Sequence, residues 1–375
     1  MLTFVRKLGK RFFITANIVV CIVFLLSVFQ PYLNPNTFWF IGFLSLAFPY
    51  LLIVVVGFIV FWCIFKIKLG LISLITLLIG IKQIGTLFNL SSSKFQTAKE
   101  AGSIRILSWN IKGFEGLSNY NRKQKLVNAE RIYQFITEVN PDIVCFQEFG
   151  NYESPTLKRN YIKGMESLGY KHYVLSKDYI RGAPFHYSKG NAIFSKYKIV
   201  KTERFQFTSN PESMLLANIK VNDDTIGIYN THLQSFKFES SDYNDIATIK
   251  NNDKNIVKAS SNIFSKMRRA FRNRGEQAIF IKNIIDNTTI PEILCCDLND
   301  VPSSYAYWQL RGKRDDAFLE KGYGIGRTYM GLAPTLRIDY ILTDKRFEVL
   351  QYKTGDKKLS DHLPVIADIK LLNKH

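Results

Sequence analysis

Residues 1–90 are almost uniformly apolar, in three long stretches, and this limits what the first quarter of the chain can become. The first stretch, 12–29, follows a basic cluster of Arg6, Lys7, Lys10 and Arg11. The second, 38–65, is long enough to cross a bilayer with tilt, and the third, 69–90, is interrupted only by Lys82. A helix needs about 20 apolar residues to cross the hydrocarbon core. The pattern predicts an anchor of about three transmembrane helices over 1–90, with two helices and an interfacial segment as the alternative. A signal peptide alone does not fit, because no small-residue cleavage site follows residue 29 and further apolar stretches do.

Lys and Arg mark the cytoplasmic side of a membrane. The N-terminus is basic, the loop 30–37 has no Lys or Arg, and the turn at Lys66 and Lys68 is basic again. Three crossings place residue 101 onward outside the cytoplasm, as part of an integral inner- or plasma-membrane protein. If 69–90 does not cross, that part is cytoplasmic. Residues 91–102, with Ser91, Ser92 and Ser93, read as a linker. Residues 103–372 read as one soluble domain.

Charge narrows the partners. The first 100 residues hold nine of the chain's 50 basic residues and one of its 31 acids, and the remainder is still basic on balance. Such a surplus suits nucleic acid, a phosphorylated molecule or anionic lipid without choosing among them. The five cysteines, Cys21, Cys63, Cys145, Cys295 and Cys296, show neither zinc-ligand spacing nor a disulfide framework and read as small buried hydrophobes.

In the soluble part, β-type runs fall at 104–109, 142–147, 191–194, 214–221, 225–230, 292–296, 338–342 and 365–369. Helical spacing covers 123–139, 156–168 and 276–285. This mixture suggests α+β layering, with helices covering sheets. Asn110, Glu148, His232, Asp297 and Asn299 stand at or just past the ends of apolar runs, and Asp361 and His362 directly precede one. A single such residue is usually a turn former. Seven acids, amides and imidazoles on strand ends are better explained as a pocket on rigid mounts.

Seven segments stand in a fixed order: Leu107-Ser108-Trp109-Asn110, Phe146-Gln147-Glu148, Gly190-Asn191-Ala192-Ile193-Phe194-Ser195, Asn230-Thr231-His232-Leu233, Cys296-Asp297-Leu298-Asn299, Arg337-Ile338-Asp339-Tyr340 and Ser360-Asp361-His362-Leu363-Pro364. In this the chain resembles the endonuclease/exonuclease/phosphatase (DNase I-like) superfamily, in a membrane-anchored bacterial-type form. The resemblance implies a four-layer α/β/β/α sandwich with the site at one end. It implies Glu148 as principal metal ligand, supported by Asn110 and Asp361. Oxygen donors favour Mg²⁺ or Mn²⁺ over zinc. By the same resemblance His362 is the general base and Asp339 holds its ring. Asp297 and Asn299 orient the attacking water and contact phosphate. His232 bonds a non-bridging phosphate oxygen or assists the leaving group. Lys112 stands where many relatives carry a polar or acidic residue; this argues against a second metal and leaves Lys112 as a phosphate contact or a solvated side chain.

The expected activity is metal-dependent hydrolysis of a phosphate ester, with nucleic acid the favoured substrate on charge. A sphingomyelinase-like phospholipid phosphodiesterase or a phosphatase is the alternative. A catalytically inactive, membrane-tethered binding module would have lost some of these residues, and all are present. The expected partners are the bilayer and an anionic substrate, with no obligate protein partner. The insertion 236–275 is basic late, at Lys258, Lys266, Arg268, Arg269, Arg272 and Arg274. Ile263, Phe264, Met267, Ala270 and Phe271 give it amphipathic helical spacing. A substrate clamp, a membrane-surface contact and packing on its own domain are all consistent with it. Arg181 and the loop Gly326-Arg327-Thr328-Tyr329 are weaker candidates for substrate contact, and Asp300 is given no catalytic role.

Overall fold

In the computed structural model, which describes residues 2–91, 95–117, 121–153, 160–183, 186–238, 242, 256–331 and 333–372, the β-type runs pair into two large sheets. The strands in chain order are β1 (Asn89–Leu90), β2 (Ile104–Asn110), β3 (Ile143–Tyr152), β4 (His172–Leu175), β5 (Tyr179–Arg181), β6 (Tyr187–Ser195), β7 (Ile199–Gln206) and β8 (Ser213–Val221). There follow β9 (Asp224–His232), β10 (Glu292–Asp297), β11 (Asp315–Asp316), β12 (Tyr323–Gly324), β13 (Asp339–Thr343), β14 (Phe347–Thr354) and β15 (Val365–Leu371). The first sheet has the order β14-β15-β2-β3-β6-β4, with β5 also on β6; the second runs β11-β13-β10-β9-β8-β7.

Side chains alternate across a strand, and that period sorts them into three apolar layers. Ile104, Ile106, Cys145 and Ile193 of the first sheet meet Ala217, Ile228, Cys295 and Ile341 of the second. Leu107, Trp109, Val144 and Phe146 face outward onto Ile132 and Ile136 of the helix Arg122–Val139. Leu294, Cys296 and Leu342 face the other way, onto Ala278 and Ile281 of the helix Ile256–Ile285. The layering is therefore α/β/β/α. Buried amides tie the sheets together: Asn230 Nδ2 donates to the carbonyls of Phe146 and Ala192, and Gln147 Nε2 donates to Asn230 Oδ1.

The helix Arg122–Val139 starts on a capping box, in which Asn121 accepts from the Lys123 and Gln124 amides while Gln124 accepts from the Asn121 amide. Replacing Asn121 by Ala removes one side of that exchange. The expected loss is about 1 kcal/mol, read as a fall of about 2–4 °C in Tm.

Several boundaries differ from expectation. β3 does not stop at residue 147 but runs on to Tyr152 through a break in register between Phe146 and Phe149. The helix expected at 276–285 and the amphipathic spacing from Ile263 to Phe271 in the insertion belong to one helix, Ile256–Ile285. Only Tyr161–Ser167 of the helix expected at 156–168 is seen, and 156–159 lie outside the described residues. So do 239–241 and 243–255 of the insertion. β7, an edge strand, is largely solvent-facing, and its polar sequence gives no strand signal.

Two helices at the N-terminus are long and apolar enough to cross a bilayer, Arg6–Tyr32 and Pro35–Phe65. The third stretch is not one long helix. Ile67–Ile79 spans 13 residues, about 20 Å at 1.5 Å per residue, which is short for a hydrocarbon core. A single turn, Ile81–Ile84, continues it beyond Gly80, and then Asn89–Leu90 pairs with β12. Gly80 has a packing reason, since a Cβ there would meet the Phe24 ring at 2.8 Å. The three helices interlock, with Ser73 Oγ donating to Asn17 Oδ1 at 2.7 Å and Phe24 stacked on Phe48 at 5.2 Å.

Candidate active site

The site forms where strand ends of both sheets converge. β10 supplies its centre. Asp297 is the last residue of β10, flanked in register by His232 on β9 and Asp339 on β13. Asn110 ends β2 in the facing sheet, and Glu148 projects from β3 beside it. Glu148 has φ +52°, in the left-handed region that non-glycine residues avoid. It lies at the register break of β3, where two residues bulge out of the pairing. Such strain costs about 1–3 kcal/mol and persists only where the surroundings enforce it. Asn299, two residues past β10, has φ +51° and is held by its amide donating to Asp297 Oδ1 at 2.8 Å.

Asp361 and His362 reach the site from the segment before β15. Ser360 Oγ donates to the Asn110 carbonyl at 2.8 Å, and Trp109 Nε1 donates to the His362 carbonyl at 2.8 Å. Both oxygens of Asp339 lie 3.1 Å from His362 Nδ1. Asp297 Oδ2 stands 3.6 Å from His362 Nδ1 and 3.6 Å from His232 Nε2, and it accepts from Asn110 Nδ2 at 2.9 Å. Asn299 Nδ2 lies 2.9 Å from His232 Nε2. All eight expected residues, together with Lys112, are thus gathered at one end of the sandwich.

A cleft of about 920 Å³ opens over this cluster. Asn110, Glu148, His232, Asn299, Asp361 and His362 line it. Asp297 and Asp339 sit beneath, almost wholly buried. Each carboxylate at the cleft has a lysine: Lys189 lies 2.6 Å from Glu148 Oε2, and Lys112 lies 3.0 Å from Asp361 Oδ2. Lys112 is therefore engaged with a carboxylate rather than merely solvated.

The electrostatics follow from burial and crowding. Burial works against a charged His362, but Asp339 first and Asp297 next overcome it and push the imidazole up to about 10. His232 is also raised; burial opposes, while Glu212, Asp297 and Glu148 outweigh it. Burial pushes the Asp297 carboxyl up, and neighbouring Asp339 adds to this. Burial would raise Glu148 too, but Lys189 and then His232 hold it well below the usual carboxylate range. The pattern is that of a site with surplus negative charge, which a cation would relieve. The donors at the cleft, two carboxylates and an amide, are hard oxygen ligands and fit Mg²⁺ or Mn²⁺. Asp297, Asp339 and His362 also present ligand atoms within 4.8 Å of one another. His362 Nδ1 is already spanned by Asp339 there, an arrangement that suits holding a ring rather than holding an ion.

Two contributors, Lys189 and Glu212, escape a reading of the sequence, and a third, Thr328, lies in the loop read only as a weak candidate for substrate contact. Lys189 on β6 directly precedes the Gly190 motif, and that adjacency is its only signal. Glu212 Oε2 lies 3.9 Å from His232 Nδ1. Thr328 Oγ1 accepts from the Ile338 and Asp339 amides, so the Gly326–Tyr329 loop braces the strand start that carries Asp339. Tyr329 adds a ring contact to His362 at 4.9 Å. Arg181 lies exposed on β5, and Asp300 is occupied by Arg274 at 2.9 Å.

A four-layer sandwich with acids, amides and imidazoles gathered at one end of its paired sheets defines the DNase I-like class. The sequence of residues 107–362 matches the model of the Endonuclease/Exonuclease/phosphatase family, well over half of the chain, and the chain belongs to that family. Residues 10–87 match a domain of unknown function (DUF8431). No curated protein matches the chain. Among solved structures, an endonuclease/exonuclease/phosphatase from Beutenbergia cavernae DSM 12333 is 19% identical, with TM-score 0.52, covering 72% of this chain and 72% of that one. The human Nocturnin catalytic domain with bound sulfate anion is 17% identical, with TM-score 0.51, covering 73% of this chain and 96% of that one. A family protein from Bacteroides thetaiotaomicron is 16% identical, with TM-score 0.50, covering 72% and 98%. These likenesses speak for the fold.

Proposed function

We propose that the chain is a membrane-anchored, divalent-metal-dependent phosphodiesterase that hydrolyses its substrate with a water activated by His362. The observation that carries this reading is the His362–Asp339 pair, 3.1 Å apart at the wall of a cleft that Glu148 and Asp361 also line. With Nδ1 committed to Asp339, the other ring nitrogen is the one left to take a proton from water, once a bound cation offsets the carboxylate charge that otherwise holds the ring protonated. Asp339 fixes that tautomer and stabilises the imidazolium that forms. Glu148 and Asp361, with the Asn110 amide, would hold Mg²⁺ or Mn²⁺. When bound, that ion neutralises phosphate charge and steadies the leaving oxygen. His232 would meet the phosphate oxygens from the cleft wall, and Asn299, whose Nδ2 donates to the Leu233 carbonyl and lies 2.9 Å from His232 Nε2, would position that ring. Asp297 acts through its neighbours, because its oxygens are taken by Asn110 and Asn299 and it lies below the cleft floor.

The anchor is read in the same way. Phe13 meets Phe61 at 4.8 Å, so the basic start of the first helix lies by the end of the second, next to Lys66 and Lys68. The opposite ends of both helices join the catalytic part. Ile67–Ile79 and the turn Ile81–Ile84 run back from Lys66 to the far end of the first helix, where Gly80 packs on Phe24, and serve as the third, shorter crossing, so a cytoplasmic basic end puts the site on the extracytoplasmic face.

The test is hydrolysis of bis-p-nitrophenyl phosphate by the full chain in detergent micelles. Turnover with Mg²⁺ or Mn²⁺, abolished by EDTA, is expected. A chain that turns over no phosphate ester, soluble or micellar, under any divalent metal is not an enzyme of this kind.

A further inference from the structure

The apolar anchor does more than end near the site; it forms part of its wall. Leu46, on the helix Gly42–Phe65, lines the catalytic cleft. Phe236, Phe238, Val301, Met330 and Leu336 add further apolar side chains to the lining that also holds the acids, the imidazoles and Lys237. The loop carrying Asn299 is fastened to that helix four residues on, where Ser303 Oγ donates to the Ser45 carbonyl at 2.8 Å. Gly42 lets the Phe271 ring of the insertion helix pack where a Cβ would stand 2.8 Å away. Trp39 and Phe43 meet Phe264 at 4.9 and 5.2 Å.

This junction has the composition of a bilayer surface. Tyr32, Phe38 and Phe40 are exposed beside Trp39, as in an aromatic belt at headgroup level. The insertion helix brings basic residues to the same place, with Arg268 4.9 Å over the Trp39 ring and Arg269 and Arg272 exposed on the same stretch. Basic side chains beside an apolar anchor attract anionic headgroups. Other cations of the insertion are already paired internally: Arg274 with Asp300, and Lys266 with Asp242 at 2.6 Å. The basic surplus expected to favour nucleic acid is in part spent within the fold.

We infer that the cleft opens at the bilayer surface and takes a lipid phosphodiester, with the phosphate against Glu148 and His362 and the start of its hydrocarbon against Leu46, Phe236 and Phe238. The inference rests on the hydrolase reading above and adds the substrate class. A cleft lined by both apolar and charged side chains suits a molecule that changes character at its phosphate. A nucleic acid strand offers no aliphatic segment next to the scissile group. Entry from the bilayer plane also gives the anchor a role in recognition.

The test uses the full chain in dodecyl maltoside micelles. Four probes are compared under one metal: phosphatidylglycerol dispersed in the micelles, the same headgroup diester without acyl chains, a single-stranded oligodeoxynucleotide and bis-p-nitrophenyl phosphate. The acylated diester is expected to exceed its deacylated counterpart in kcat/KM by at least about 100-fold, the worth of burying a few methylenes. Leu46→Gln is expected to shrink that ratio about ten-fold. Hydrolysis of bis-p-nitrophenyl phosphate with equal rates on the two diesters, or with the oligonucleotide preferred, overturns the lipid assignment and leaves the hydrolase reading standing. No hydrolysis of any of the four probes overturns both. An unchanged ratio in Leu46→Gln removes the anchor from the binding wall.

Discussion

Replacing His362 by Ala lowers kcat for a soluble phosphodiester by about 10²–10⁴-fold, the usual contribution of a positioned general base. The loss is expected on kcat rather than KM, because the proposed role of the imidazole is to move a proton in the transition state, while Glu148 and Asp361 remain to hold charge. Asp339→Asn is expected to lose activity for a different reason. Its amide can present Nδ2 to the ring and favour the wrong tautomer. Steady-state rates for the two variants against wild type check both statements, and near-wild-type turnover in His362→Ala would remove it from the chemistry. The fold of the variant is checked separately by its thermal transition, since His362 is also held through its backbone by Trp109.

Removing one partner of the Arg337–Asp316 pair destabilises the protein by about 3–5 kcal/mol, the largest stability effect expected here. The two side chains are each 1% exposed and 2.6 Å apart. Asp316 Oδ2 also accepts from Tyr307 Oη at 2.8 Å, and the Arg337 guanidinium lies 4.3 Å over the Phe318 ring. Asp316→Ala leaves a buried guanidinium with too little opposing charge. Arg337 further donates through Nη2 to the Thr86 carbonyl at 2.8 Å, so its loss also loosens the segment that leaves the anchor. Denaturant titration of Arg337→Met, Asp316→Leu and the double variant separates the effects. The double variant is expected to recover most of the loss, because an apolar pair needs no charge partner. Equal losses in the single and double variants would contradict this account.

Much of the fold was legible because the sheets bury one apolar layer between them and one on each outer face. β2, β10 and β15 alternate cleanly between those layers, and their sequences read as strands. Edge strands were not legible. β7 and β14 have exposed or half-buried positions and mixed polarity, so no period marks them. The site residues stood out because acids, amides and imidazoles on strand ends are chemically conspicuous. Lys189 and Glu212 did not, and Thr328 did only within a loop read for substrate contact, since a surface-type residue becomes part of a site only through long-range pairing: β6 on β3, or the 328 loop on β13. The third apolar stretch misled in its length. Apolar content predicts burial in lipid or protein, and the segment after Gly80 spends part of it against the catalytic part, where Thr86 and Asn89 bond to Arg337 and to the Phe318 and Leu319 carbonyls.

The proposed hydrolase requires a divalent cation held by Glu148 and its neighbours. The measurement is the rate of bis-p-nitrophenyl phosphate hydrolysis by the EDTA-stripped full chain as Mg²⁺ is titrated back, for wild type and Glu148→Ala side by side. The predicted result is a saturable return of activity in wild type and, in Glu148→Ala, a curve displaced to about 10–100-fold higher Mg²⁺ or no return. Full activity in EDTA, or the same Mg²⁺ curve for both proteins, would contradict it.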